Sequence, residues 1–174
     1  DTQTSRGLGD VYKRQVATYV VRAAEKLRKQ HQRAAALTVY TRTSPFIPAF
    51  YSQAASTRLD LPSNDTTVLL EAALPLVDRI FRPHRQLAKA GVLMQHLQGT
   101  ELLQSHLLVP LSEAQQQRRE ELMRTIDRLN RRYGRGTVQW AACGLHPSWM
   151  MRRERLGRTA TTRLSDVPVV HADR

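Results

Sequence analysis

The sequence predicts a small α+β domain, one sheet with its helices on one face, because the spacing of apolar residues switches between helical and strand periods. Apolar side chains recur every three to four residues from Val16 and again from Leu69, and between them Leu37, Val39 and Thr41 alternate with polar neighbours. The resulting order is helix, strand, strand, helix, strand.

Val16, Val20, Ala23 and Leu27, with Tyr19 and Ala24 beside them, make one stripe of a helix over 16–33, and Arg22, Lys26, Arg28 and Lys29 give it a basic face. Over 36–43 the period is two: Leu37, Val39 and Thr41 lie on one face, Thr38, Tyr40 and Arg42 on the other. Pro45 and Pro48 end this strand, and 54–61 predicts a second short one before Pro62. Asn64 or Asp65 can cap a helix over 66–81 with Leu69, Leu70, Ala73, Leu76, Val77 and Ile80 inside and a kink at Pro75. A third strand is predicted over 91–97 and a polar linker over 98–117. A helix follows over 120–133 with Leu122, Ile126 and Leu129 inside, ended by Gly134 and Gly136. A further strand is predicted over 137–142. From Gly144 the chain is rich in Pro and Arg and has too few apolar residues for a core of its own, which predicts a docked or disordered tail.

Residues 1–15 are set aside. Ser5 to Gln15 read SRGLGDVYKRQ, which back-translates in one frame to something like a transposon-tagmentation sequencing adaptor. The native chain is therefore expected from Val16, as a piece of a longer protein. The divisions that follow are 16–98, a linker at 99–117, and 118–174.

The 174 residues carry 27 Lys plus Arg against 15 Asp plus Glu, a net charge of +12. Only four of the 27 are Lys, and guanidinium groups suit planar, multidentate contacts to phosphate. Cys143 is the single cysteine, so there is no intramolecular disulfide and no thiolate metal cage; a reducing, cytoplasmic setting fits. No apolar run reaches the roughly 20 residues that span a bilayer.

Two-metal phosphoryl chemistry needs clustered carboxylates, and the acids here are scattered; the adjacent Glu120 and Glu121 point in different directions on a helix. His31, His84, His96, His106, His146 and His171 show no HxxxH or HExxH spacing, and nothing resembles a nucleophile elbow. No catalytic residue and no metal site are expected in this chain. The basic and hydroxyl side chains point to binding instead. Thr41, Arg42, Thr43 and Ser44 end a strand with groups that hold phosphate oxygens. Trp149 with Arg152, Arg153, Arg155 and Arg163 combines charge with apolar anchors, suited to nucleic acid or to an acidic protein. Gln104, Leu107 and Leu108 form a short Q-x-x-L-L string in a polar linker, suited to a partner's groove.

Five segments, in order, resemble one family: RAAEKLRKQHQ from Arg22, RTSPF from Arg42, KAGVLM from Lys89, GRGTV from Gly134, and WMMRRERL…TTRLSDVP from Trp149. They are similar to the C-terminal part of the UmuC-like Y-family translesion DNA polymerases, the group of the DNA polymerase V catalytic subunit. The resemblance implies that 16–98 are most of a little finger domain, a β-α-β-β-α-β unit lacking its first strand. In the sheet order the family implies, that strand is a central one. Such a domain grips primer-template DNA without sequence preference, here through Arg22, Thr41, Arg42, Thr43, Ser44 and Lys89. Gln104, Leu107 and Leu108 fall where the family carries its sliding-clamp peptide, with Leu108 in place of the usual Phe. The tail, Trp149, Arg152, Arg153, Arg155 and Arg163 included, falls in the extension associated with a UmuD′-like accessory dimer and the RecA filament. The Mg²⁺-binding palm would precede Val16, so no cofactor is expected here. The parental activity implied is error-prone, DNA-directed DNA synthesis in DNA repair and the SOS response. The alternative is a stand-alone basic DNA-binding or scaffold module without polymerase activity, distinguished by the absence of paired acidic residues on upstream strands.

Overall fold

The computed structural model describes residues 2–46, 48, 50–82, 85, 87–100, 113–145, 165 and 167. The elements run α1 (Thr2–Lys29), β1 (Gln32–Thr43), β2 (Ser52–Ser63), α2 (Thr66–Ile80), β3 (Leu87–Gly99) and α3 (Glu113–Tyr133), followed by a single 3₁₀ turn at Ala141–Cys143. The α+β class expected from periodicity holds: a three-stranded antiparallel sheet in the order β2-β1-β3 carries α1 and α2 on one face.

The core lies between that face and the two helices. Val16, Ala17, Val20, Ala24 and Leu27 of α1 meet Leu69, Leu70, Ala73, Leu76, Val77 and Ile80 of α2 over Leu37, Val39 and Ala55 of the sheet. Each fully buried Val, Leu or Ile contributes about 1.5–3 kcal/mol of hydrophobic stabilisation. Asp65 caps α2, its Oδ1 accepting from the Thr67 amide at 2.7 Å. His31, at φ 53°, turns the chain from α1 directly into β1.

The strands run two to four residues beyond the ranges expected from sequence, and four larger points differ from the sequence reading. First, α1 has no break at Val16. It runs from Thr2, and residues 9–15 pack on the domain: the Tyr12 hydroxyl donates to the Leu87 carbonyl at 3.0 Å, its ring lies 5.5 Å from that of Phe81, and Lys13 pairs with Asp78 at 2.7 Å. Second, α3 begins at Glu113, and it buries Met123 while Leu122 is half exposed. Third, 137–142 is not a strand. The amide of Asn130 takes the place of a neighbouring strand, donating to the Val138 carbonyl at 3.0 Å and accepting from its N–H at 2.9 Å, and the chain then forms the 3₁₀ turn. Fourth, β1 is paired along both sides, so any further strand joins this sheet at the outer edge of β2 or β3 and is not central.

Candidate nucleic-acid interface

The sheet face opposite α1 and α2 is built by register. Side chains directly opposite in an antiparallel pair share a face, which gives four rows across β2, β1 and β3: Ser52, Arg42, Lys89; Ala54, Tyr40, Gly91; Ser56, Thr38, Leu93; and Arg58, Ala36, Gln95. Hydrogen bonds confirm the assignment. Thr38 Oγ1 lies 2.8 Å from Ser56 Oγ and donates to Gln95 Oε1 at 2.8 Å, a bridge over all three strands. None of these twelve residues is acidic.

Arg42 and Lys89 are cross-strand neighbours. Like charges directly opposite destabilise a sheet, so this pair costs stability unless an anion lies over it. Lys89 is exposed, and Arg42 Nε is buried without a hydrogen-bond partner among the described residues. Arg42 as a residue is only half-buried, so this basic row is suited to an anionic acceptor such as a phosphate oxygen. Ser52 completes the row with a hydroxyl.

Gly91 gives the face its shape. A Cβ there would sit 2.5 Å from Tyr40 Cζ and Oη, so glycine is what lets the Tyr40 ring lie flat across β3. Past that ring, Tyr40, Ala90, Gly91 and Val92 meet Tyr19, Arg22, Ala23 and Lys26 of α1 around a shallow cleft of about 350 Å³.

The residues expected to grip phosphate therefore divide. Arg42 and Lys89 stand together on the open face. Thr41 and Thr43, each 1 % exposed, point the other way, into the helix layer. They are core residues and unable to reach a ligand on the open face, because successive side chains of a strand alternate. Thr43 Oγ1 accepts from the Tyr51 amide at 2.9 Å, which closes the β1–β2 connection. Ser44 Oγ accepts from the Phe46 amide at 3.3 Å and shapes the same turn. Arg22 sits in the helix layer at the cleft, not beside Arg42. Sequence reasoning missed Arg58 and Ser52, which the register of β1 with β2 brings to the face of Arg42, and it placed Tyr40 on that face without counting it as a site residue. It also missed Phe46 and Phe50, 93 % and 56 % exposed in the turn after β1.

Gln104, Leu107 and Leu108 lie outside the described residues, as do Trp149, Arg152, Arg153, Arg155 and Arg163. Among the described residues no group of three His, Cys, Asp or Glu side chains could hold a metal ion, and no helix is long and apolar enough to cross a membrane. Glu120 pairs with Arg33 at 2.8 Å.

Residues 9–107 match the impB/mucB/samB family C-terminal domain, and residues 120–170 match a domain of unknown function, DUF4113. Three similar proteins come from Salmonella typhimurium. Protein ImpB is 36 % identical over 162 residues, covering 92 % of this chain and 38 % of its own. Protein SamB is 35 % identical over 155 residues, 88 % of this chain and 36 % of its own. Protein UmuC of strain LT2 is 34 % identical over 154 residues, 87 % and 36 % respectively. The chain thus spans little more than a third of the length of these relatives. With its sheet domain matched over 9–107, the chain belongs to the impB/mucB/samB family.

Proposed function

We propose that this chain is the DNA-gripping and partner-binding C-terminal part of an error-prone translesion DNA polymerase that acts in DNA repair and the SOS response. Its own role is to hold primer-template DNA by the phosphate backbone while template-directed synthesis takes place elsewhere in the parent. Mg²⁺ acts there, with carboxylates this chain does not supply. The observation that carries the reading is the Ser52, Arg42, Lys89 row: two cations side by side, with no acid among the twelve residues of the four rows.

The chemistry follows from those groups. Guanidinium and ammonium donors neutralise phosphate charge and release condensed counterions, so affinity is large at low salt and falls as salt rises. The Ser56–Thr38–Gln95 bridge uses up the polar groups at the middle of the face, which leaves little there to read base edges. Grip without sequence preference is what a polymerase needs as it moves along any template. Arg22 and Lys26, around the edge of β3, extend the same field.

Two further contacts belong to the proposal. Gln104, Leu107 and Leu108 bind the sliding clamp, weakly, because Leu108 buries less apolar area than the Phe of the family. The Arg-rich tail, with Trp149, Arg152, Arg153, Arg155 and Arg163, binds a UmuD′-like dimer, the RecA filament or DNA. The reading is tested by titrating labelled primer-template of several sequences with the chain. Similar affinities that weaken steeply with salt are expected; strong preference for one sequence, or affinity indifferent to salt, would contradict it.

A further inference from the structure

The described part of the region matched to a domain of unknown function, residues 120–145, does not stand apart from the sheet domain. The Arg28 guanidinium is shared three ways: Nε and Nη2 donate to Asp127 at 2.7 and 2.8 Å, and Nη1 donates to the Asn64 carbonyl at 2.7 Å and to Thr66 Oγ1 at 2.9 Å. One side chain thus fastens the end of α1, the start of α2 and the middle of α3. Seven residues before Asp127, two helical turns away on the same face, Glu120 accepts from Arg33 Nη2 at 2.8 Å. Both arginines are sheltered, with side chains 11 % and 14 % exposed. Further on, Trp140, Ala142 and Cys143 pack on the core, and Gly144 lies against Arg14 of α1.

Thr100, after β3, is held near Arg33. The Thr100 amide donates to the His31 carbonyl at 3.0 Å, two residues from Arg33. Thr100 is thus fixed at the α1–β1 turn, and Glu120 of α3 pairs with Arg33 close to that turn.

We infer that residues 113–145 are an intramolecular brace that docks on the sheet domain through Arg28 and Arg33. The partner of this surface is the chain itself. An acidic pair spaced by two helical turns, meeting two sheltered arginines on different elements, is the pattern of an interface; a helix that merely followed a flexible linker would keep its carboxylates in water. The inference does not depend on what the open sheet face binds.

The test uses the whole chain with a site-specific protease sequence inserted within 101–112. After nicking, the two pieces are expected to co-elute from a sizing column. Asp127→Arg together with Glu120→Arg sets cation against cation and is expected to weaken association by at least about a hundredfold. Asp127→Asn keeps one acceptor oxygen and is expected to fall between. Separation of the pieces in the unsubstituted chain would overturn the inference, and so would unchanged affinity in the double variant. If far-UV circular dichroism finds the double variant unfolded, Asp127→Asn decides alone: association equal to the unsubstituted chain would overturn the inference.

Discussion

Arg28 and Asp127 form a two-point ion pair across 99 residues of sequence, Nε to Oδ2 at 2.7 Å and Nη2 to Oδ1 at 2.8 Å. Their side chains are 11 % and 19 % exposed. A pair so sheltered is costly to break from one side, because the remaining charge stays buried without its counterion. Asp127→Ala should lower stability by about 3–5 kcal/mol in urea unfolding. Arg28→Met combined with Asp127→Leu should cost much less than the sum of the single changes. Additive losses would mean that the two groups are not coupled.

Thr41 provides a second case. Its Oγ1 is buried with no hydrogen-bond partner among the described residues, and an unmet hydroxyl costs about 1–3 kcal/mol. Thr41→Val should therefore leave the thermal midpoint unchanged or raise it, and should leave DNA affinity unchanged. A large loss of affinity would return Thr41 to the binding site.

At Gly91, the added methyl of Gly91→Ala would meet the Tyr40 ring. A cost of about 1–3 kcal/mol is expected as the ring is displaced. Combining it with Tyr40→Ser should recover part of the loss. If the double change recovers nothing, the clash lies elsewhere.

Alkaline pH should loosen the packing against α1 around Tyr12 and Thr18. Burial pushes the Cys143 thiol up, against smaller opposing effects of a hydrogen bond from Thr18 and the charge of Arg22. Burial also pushes the Tyr12 phenol up. Folded-state values above the unfolded ones mean that this contribution to stability is complete at neutral pH and is lost as pH rises through the folded values. The thermal midpoint should thus fall from about pH 8.5 upward, and Cys143→Ala should make the fall shallower. Rapid alkylation of Cys143 at neutral pH would contradict its burial.

The fold was legible where one period dominated. The stripes from Val16 and Leu69 and the alternation around Leu37 and Val39 identify both core helices and β1, because each buries one continuous face. The same alternation separates Thr41 and Thr43 from Arg42, whereas reading the four residues 41–44 as one contiguous grip ignores the pleat. Residues 137–142 misled for a different reason. Their β-prone side chains suit a strand, but strand pairing needs a neighbour, and Asn130 supplies its hydrogen bonds from a side chain eight residues away. The Arg28–Asp127 pair left no local signal, since its partners are brought together only by tertiary packing. Arg58 and Ser52 reach the candidate face through a register that only the folded β1–β2 pair defines.

The central claim is that the basic row on the open sheet face holds DNA phosphates, and the salt dependence of binding tests it most directly. Fluorescence anisotropy with labelled primer-template would be followed over a range of salt for the unsubstituted chain, Lys89→Ala and Arg42→Ala. Each substitution should weaken binding uniformly across DNA sequences and reduce the log–log slope by about 0.9 for each phosphate that is no longer neutralised. Neither should lower the unfolding midpoint by much, because removing one of two facing cations relieves repulsion. Unchanged affinity and slope in both variants would contradict the claim and move the DNA to another surface.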